Sequence, residues 1–204
     1  MNFEPITEKY PLILASASPR RKRLLQQAGL PYHSIESNIP EGGIPGDQAD
    51  MVLELAKEKA KAVRLNSGNH WILGADTIVV LGDRVLGKPE NREDARIMLD
   101  FLGGKEHRVI TGFCVIDPSG RVSHSECVTT LVSMKPLSER EISAYIATGE
   151  PFGKAGSYAI QGIGAFMVKE IRGSYSNVVG LPLCELVQSL LILGALKEFP
   201  LLFL

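Results

Sequence analysis

WILGADTIVVL, Trp71 to Leu81, reads as a buried β-strand holding one residue that such a strand ought to exclude. Nine of its eleven positions are apolar or glycine, and the two exceptions are Asp76 and Thr77. An ionised carboxylate in a dry strand costs several kcal/mol or titrates upward unless something compensates it. The rest of the chain has to supply that compensation.

Outward from this strand the patterns alternate. PLILAS (Pro11 to Ser16) is a short buried strand, and SPRRKRLLQQAG starts a helix at Ser18-Pro19 and stops it at Gly29. A strand near YHSIES leads into NIPEGGIPGD (Asn38 to Asp47), a loop by its glycine and proline content. Asp47 is placed to cap the helix QADMVLELAKEKAKAVRLN. After Trp71–Leu81 a Gly82-Asp83 turn returns the chain through RVLGKP, and NREDARIMLDFLGG is a capped helix. EHRVITGFCVIDP and RVSHSECVTTLVSM form a hairpin about Pro118-Ser119-Gly120. SEREISAYIATG opens on a capping box, Ser138 with Glu141. KAGSYAIQGIGAFMVKEI mixes glycines with a strand pattern, and a last helix begins near Leu181. Strands and helices intermix throughout, so the class is α/β with a mixed sheet. No compositional break divides residues 1–204, which are expected to form a single domain.

Composition removes several function classes. The net charge is −1, without the basic excess of a non-specific nucleic-acid binder, so any anionic ligand must meet a local group of cations. Cys114, Cys127 and Cys184 are odd in number and lack CxxC spacing, which argues against a disulfide framework or structural zinc and suits a reducing cytoplasm. The N-terminus is not a signal peptide. Val178 to Leu196 is the sole candidate for a membrane span, but Pro182, Glu185, Gln188 and Ser189 make it a core helix instead. A soluble protein without nucleic-acid or membrane partners is expected.

Three features carry chemistry. On the helix after Asp47, Val52, Leu55, Ala56 and Val63 form an apolar stripe at about 100° per residue, and Lys59 falls inside it. Snorkelling to water accounts for Lys59 as well as a site role does; turned inward, its ammonium needs an anion such as Asp76 or a phosphate. In SASPRRKR a strand ends in hydroxyl residues and a helix starts with Arg20 and Arg21 in its first turn. Cations are unfavourable at that end of a helix unless an anion comes between, and guanidinium forks suit phosphate oxygens. The spacing is neither a P-loop nor GxGxxG. Lys88 in LGKP, Gln161 in YAIQG and Glu41 in the loop are weaker, since each is ordinarily an exposed loop residue. Together they suit a polyphosphate ester whose charge is shared between Mg²⁺ and side chains, with Asp76 orienting a metal or taking a proton from water.

The same segments in the same order, LILASASPRR, LAKEKAKAV, GADTIVV, GKP, VITGFCV, EPFGKAGSYAIQG and VVGLPL, resemble the Maf family of nucleotide pyrophosphatases. The resemblance implies a fold like that of inosine triphosphate pyrophosphatases, with two lobes around a central cleft. It implies cleavage of a nucleoside triphosphate between its α and β phosphates, with a divalent cation, Mg²⁺ or Mn²⁺. It places the catalytic aspartate on Asp76 and substrate contacts on Ser16, Arg20, Arg21, Lys59, Lys88 and Gln161, with Asp76 and Glu41 at the metal. Pairing into a homodimer is implied by the resemblance alone.

In the branch resembling dTTP/UTP pyrophosphatases, the residues matching Arg20, Thr77 and Gln161 set base preference. The 7-methyl-GTP branch has SDQ and a glutamate at two of these places, and here they read ADT and IQG. A glutamine amide offers both donor and acceptor to the imide edge of uracil or thymine. The expected activity is hydrolysis of dTTP and UTP, extending to modified pyrimidine triphosphates, as nucleotide house-cleaning. The alternatives are 7-methyl-GTP hydrolysis and a nucleotide-binding regulator of cell division without turnover.

Overall fold

The computed structural model describes residues 3–39 and 47–201. Its strands are β1 (Leu12–Leu14), β2 (Tyr32–Ser34), β3 (Ile72–Leu81), β4 (Arg84–Leu86), β5 (Glu106–Ile116), β6 (Val122–Met134) and β7 (Val168–Arg172). The helices are α1 (Pro19–Gln27), α2 (Gln48–Val63), α3 (Arg92–Leu102), α4 (Glu139–Ala147), α5 (Tyr175–Val179) and α6 (Leu183–Ile192). The seven strands make one mixed sheet in the order β2-β1-β3-β5-β6-β7, with β4 pairing β3 off that path. β1 runs parallel to β2 and β3, whereas β4 on β3 and β7 on β6 are antiparallel.

Local chemistry sets these boundaries. Asp47 caps α2 by accepting from the amides of Ala49 and Asp50, and Asn91 caps α3 through Asp94. Ser138 and Glu141 close the expected capping box on α4. The β5–β6 turn is held by buried Asp117, whose carboxylate accepts from the Ser119 and Arg121 amides and from the hydroxyls of Ser119 and Ser123.

The chain divides into two compact units, one of Met1–Asp76, Thr111–Val128 and Gly180–Leu204, the other of Thr77–Ile110 and Thr129–Val179. The core of the first sets Ile13, Ala15, Ile72, Cys114 and Ile116 against Ala56, Ala60 and Val63 of α2. The core of the second gathers Val79, Leu99, Leu102, Val132, Tyr145, Tyr158 and Met167 among others.

Two expectations change. The KAGSYAIQGIGAFMVKEI segment is extended only over Val168–Arg172; before that it coils into 3-10 turns at Ala155–Ser157 and Ile163–Met167. The short α5 precedes the last helix, which starts at Leu183. Among the described residues no helix is long and apolar enough to cross a membrane.

Candidate active site

The site begins with how closely α2 lies on the sheet. Side chains alternate along a strand, so Ile72, Gly74 and Asp76 share one face of β3. Ile72 packs with Ala56, Ala60 and Val63, which identifies that face as the one under α2. A Cβ on Gly74 would stand 2.1 Å from the Ala56 carbonyl oxygen and 2.9 Å from the Ala60 Cβ. On β5, a Cβ on Gly112 would stand 2.7 Å from the Val52 carbonyl oxygen. Two missing side chains thus let the helix backbone settle onto the strands.

That approach brings Lys59 to Asp76. Lys59 Nζ donates to Asp76 Oδ1 at 2.6 Å, with the two side chains only 6% and 8% exposed. Snorkelling is therefore excluded: the ammonium ends on a carboxylate. The pairing also compensates the charge that the strand pattern could not explain.

Next to β3, β1 ends in the hydroxyl loop. Leu14 lies opposite Leu73, and the Ala15 amide donates to the Leu73 carbonyl at 2.8 Å. Beyond it, Ser16 Oγ accepts from the Ser18 amide and from Arg21 Nη1, each at 3.2 Å. Arg21, 8% exposed, donates its Nε–H to the carbonyl of Gly180 at 2.8 Å. Arg20 is partly buried, and burial pushes its guanidinium below the ordinary arginine value. The first turn of α1 contains no acidic residue and Ser18 gives it no side-chain cap. Two cations thus stand at a helix start with no acidic side chain in that turn to offset them.

Three predicted residues lie in the second unit. Thr77 is half-buried and, by the pleat of β3, projects from the face opposite Asp76. Lys88 is exposed just after β4, in a loop fastened where the Gly156 amide donates to the Gly87 carbonyl at 3.0 Å. Gln161 is exposed on a turn. Glu41 lies outside the described residues. The contacts join Ser16 to Arg21 and Lys59 to Asp76.

Among the described residues no group of three histidine, cysteine, aspartate or glutamate side chains is placed to hold a metal. Three contributors escaped the sequence reading. The Gly180 carbonyl orients Arg21 from 159 residues away, and no local pattern marks it. Tyr145 and Glu150 brace the turn of Gln161. Glu150 opens the EPFGKAGSYAIQG segment, but nothing local marks it as a brace for Gln161.

These features define a mixed α/β protein with a buried lysine–aspartate pair between helix and sheet and two arginines in the first turn of its first helix. The chain belongs to the Maf-like protein family, whose model matches residues 11–192. It is 50% identical over 190 residues to the dTTP/UTP pyrophosphatase of Geobacter sulfurreducens, covering 93% of this chain and 100% of that one. It is also 50% identical over 177 residues to the dTTP/UTP pyrophosphatase of Ruminiclostridium cellulolyticum, covering 86% and 92% respectively. Among solved structures it overlaps loosely with a nucleoside-triphosphatase / dITP/XTP pyrophosphatase from Mycobacterium abscessus. That match has 12% identity and a TM-score of 0.40 over 91% of this chain and 97% of the other, too distant to carry an argument.

Proposed function

We propose that this chain hydrolyses dTTP and UTP to the monophosphate and pyrophosphate. Relatives at 50% identity over nearly their whole length, named for that activity, support the reaction. The observation that carries the assignment to residues is the Lys59–Asp76 pair, a buried cation and anion placed by two glycine contacts.

In this reading a water oxygen attacks the α-phosphorus, the bond to the bridging oxygen of the β-phosphate breaks, and pyrophosphate leaves. Asp76 accepts the proton of the attacking water, with Lys59 offsetting the carboxylate charge in between. Ser16, Arg20, Arg21 and Lys88 bind phosphate oxygens, where charge builds as the bond breaks. Arg20, Thr77 and Gln161 set the preference for a pyrimidine. The enzyme acts on free nucleotide in the cytoplasm, with the homodimer that the resemblance implies.

The donor set suits Mg²⁺ or Mn²⁺ arriving on the triphosphate. Such ions keep few protein ligands and take the rest from phosphate and water. Asp76, with Glu41, would hold it, and it would supply charge neutralisation at the phosphates.

Pyrophosphate release from a panel of triphosphates with Mg²⁺ or Mn²⁺ tests this. We expect dTTP and UTP to lead, and Asp76→Asn to lose about 100-fold or more in turnover. Turnover retained in that variant overturns the role of Asp76. Preference for 7-methyl-GTP, or nucleotide binding without pyrophosphate, would favour the other branch or a regulator.

A further inference from the structure

The geometry points to Glu150 and Tyr145 as positioning residues for Gln161, and through it as determinants of base selectivity; the inference rests on the assignment of Gln161 to the base. All three lie in the second unit. Gln161 is exposed and occupies a turn closed weakly by the Gly162 amide on the Ala159 carbonyl at 3.4 Å. A side chain that discriminates a base edge has to be held to within about 0.5 Å by its supports. That loose turn alone does not do so.

The supports come from α4 and the residues just past it. Tyr145, 2% exposed, accepts at Oη from the Ala159 amide at 3.1 Å, and burial and the neighbouring Glu150 carboxylate both keep its hydroxyl protonated. Glu150 Oε1 accepts from the Ile163 amide at 3.0 Å and Oε2 from the Gly164 amide at 2.8 Å. Those two amides open the 3-10 turn Ile163–Met167, whose preceding residue, Gly162, has no side chain with which to cap it. Glu150 therefore caps it from a distance.

Gln161 is thus bracketed. Ala159, two residues before it, is fastened to Tyr145, and Ile163, two residues after it, to Glu150. Two glycines make room for the clamp. A Cβ on Gly162 would lie 1.8 Å from Glu150 Oε1, and one on Gly164 would lie 2.7 Å from Tyr145 Oη. Burial alone would raise the titration of Glu150, yet the bonds from Gly164, Tyr145 and Ile163 hold it below the usual glutamate value. The acceptor is then a carboxylate at neutral pH, which gives charge-assisted bonds to the Ile163 and Gly164 amides. A cap needed only to start a 3-10 turn would not also lie beside Tyr145, which fastens the other side of the turn.

Glu150→Gln replaces one acceptor oxygen with a donor facing an N–H, and Tyr145→Phe removes the link to Ala159. The readout is the ratio of kcat/KM for dTTP to that for the abasic 2-deoxyribose 5-triphosphate, which shares the phosphates and lacks the base. We expect E150Q and Q161A each to lower this ratio about tenfold, and Y145F about threefold. Adding E150Q to Q161A should lower the ratio no further. Equal losses on both substrates in E150Q, or a ratio that keeps falling in the double variant, overturn the inference.

Amide hydrogen exchange separates this from the reading of Gln161. The Ile163 and Gly164 amides should lose protection in E150Q and keep it in Q161A. Unchanged protection in E150Q overturns the clamp whatever the kinetics. A Q161A ratio equal to wild type removes Gln161 from base reading and with it the selectivity role, while lost protection in E150Q would still establish the clamp.

Discussion

Lys59 and Asp76 neutralise each other out of water, and removing Lys59 takes this cation from a buried carboxylate. Removing one partner of such a pair typically costs roughly 3–5 kcal/mol, whereas replacing both by apolar residues is close to neutral. We therefore expect Lys59→Met to lower unfolding stability by about 3 kcal/mol in urea titrations and Lys59→Met/Asp76→Leu to recover most of it. If the proposed role of the pair is right, the double variant is stable and inactive. Both residues were legible in the sequence because each interrupts an apolar pattern, one on a strand and one on a helix stripe. Arg21 was legible by its place at a helix start. Its acceptor was not, because a backbone carbonyl on a distant segment leaves no trace in residue type.

At the scale of elements, the decisive contact is α2 on β3 and β5. Gly74→Ala would drive a methyl against the Ala56 carbonyl at 2.1 Å, and backbone cannot turn aside as a side chain can. We expect it to cost about 3 kcal/mol and to separate Lys59 from Asp76, so that turnover falls even where the variant remains folded. Gly82→Ala is the contrasting case, since at φ +62 it meets open space and strains only the backbone, at about 1 kcal/mol. Thermal unfolding of the two variants distinguishes clearance from conformation.

Element types were readable wherever caps and periodicity agreed, as in α2, α3 and α4. They were misread over residues 155–167, where a strand pattern mixed with glycines extended too far ahead of β7. There the Glu150 carboxylate collects two successive amides and the chain coils, a tertiary contact overriding a local pattern. The five-residue α5 is too short for any helical period to reveal.

Over the whole molecule, charge is balanced and the pH response falls to a few buried groups. His107, 1% exposed, shares its Nε2 with the Tyr158 hydroxyl at 2.8 Å, and burial pushes its pKa down to about 4. In the unfolded chain it titrates near 6.5. Between those values the unfolded state binds a proton that the folded state refuses, so stability rises with pH across that window and is lost as pH falls through it. The effect is up to about 3 kcal/mol. His107→Gln should flatten the dependence of urea-unfolding free energy on pH between pH 5 and 6 by nearly one proton, and an unchanged slope would show that His107 charges freely in the fold. Two lobes were implied by the family resemblance alone and left no mark in local pattern, because each unit is assembled from separated stretches of chain, with β3, β5 and β6 passing from one to the other.

The bond from Arg21 to Gly180 has a consequence for ligand arrival. A guanidinium tethered through its Nε before any anion comes has already surrendered much of its torsional freedom, so in the proposed role of Arg21 an incoming phosphate need not arrest a swinging arm. Lysine at the same place would carry equal charge on an unmoored stem. Arg21→Lys should accordingly weaken nucleotide affinity without altering the fold, because the tail of the chain acts as the mooring post for a residue near its head.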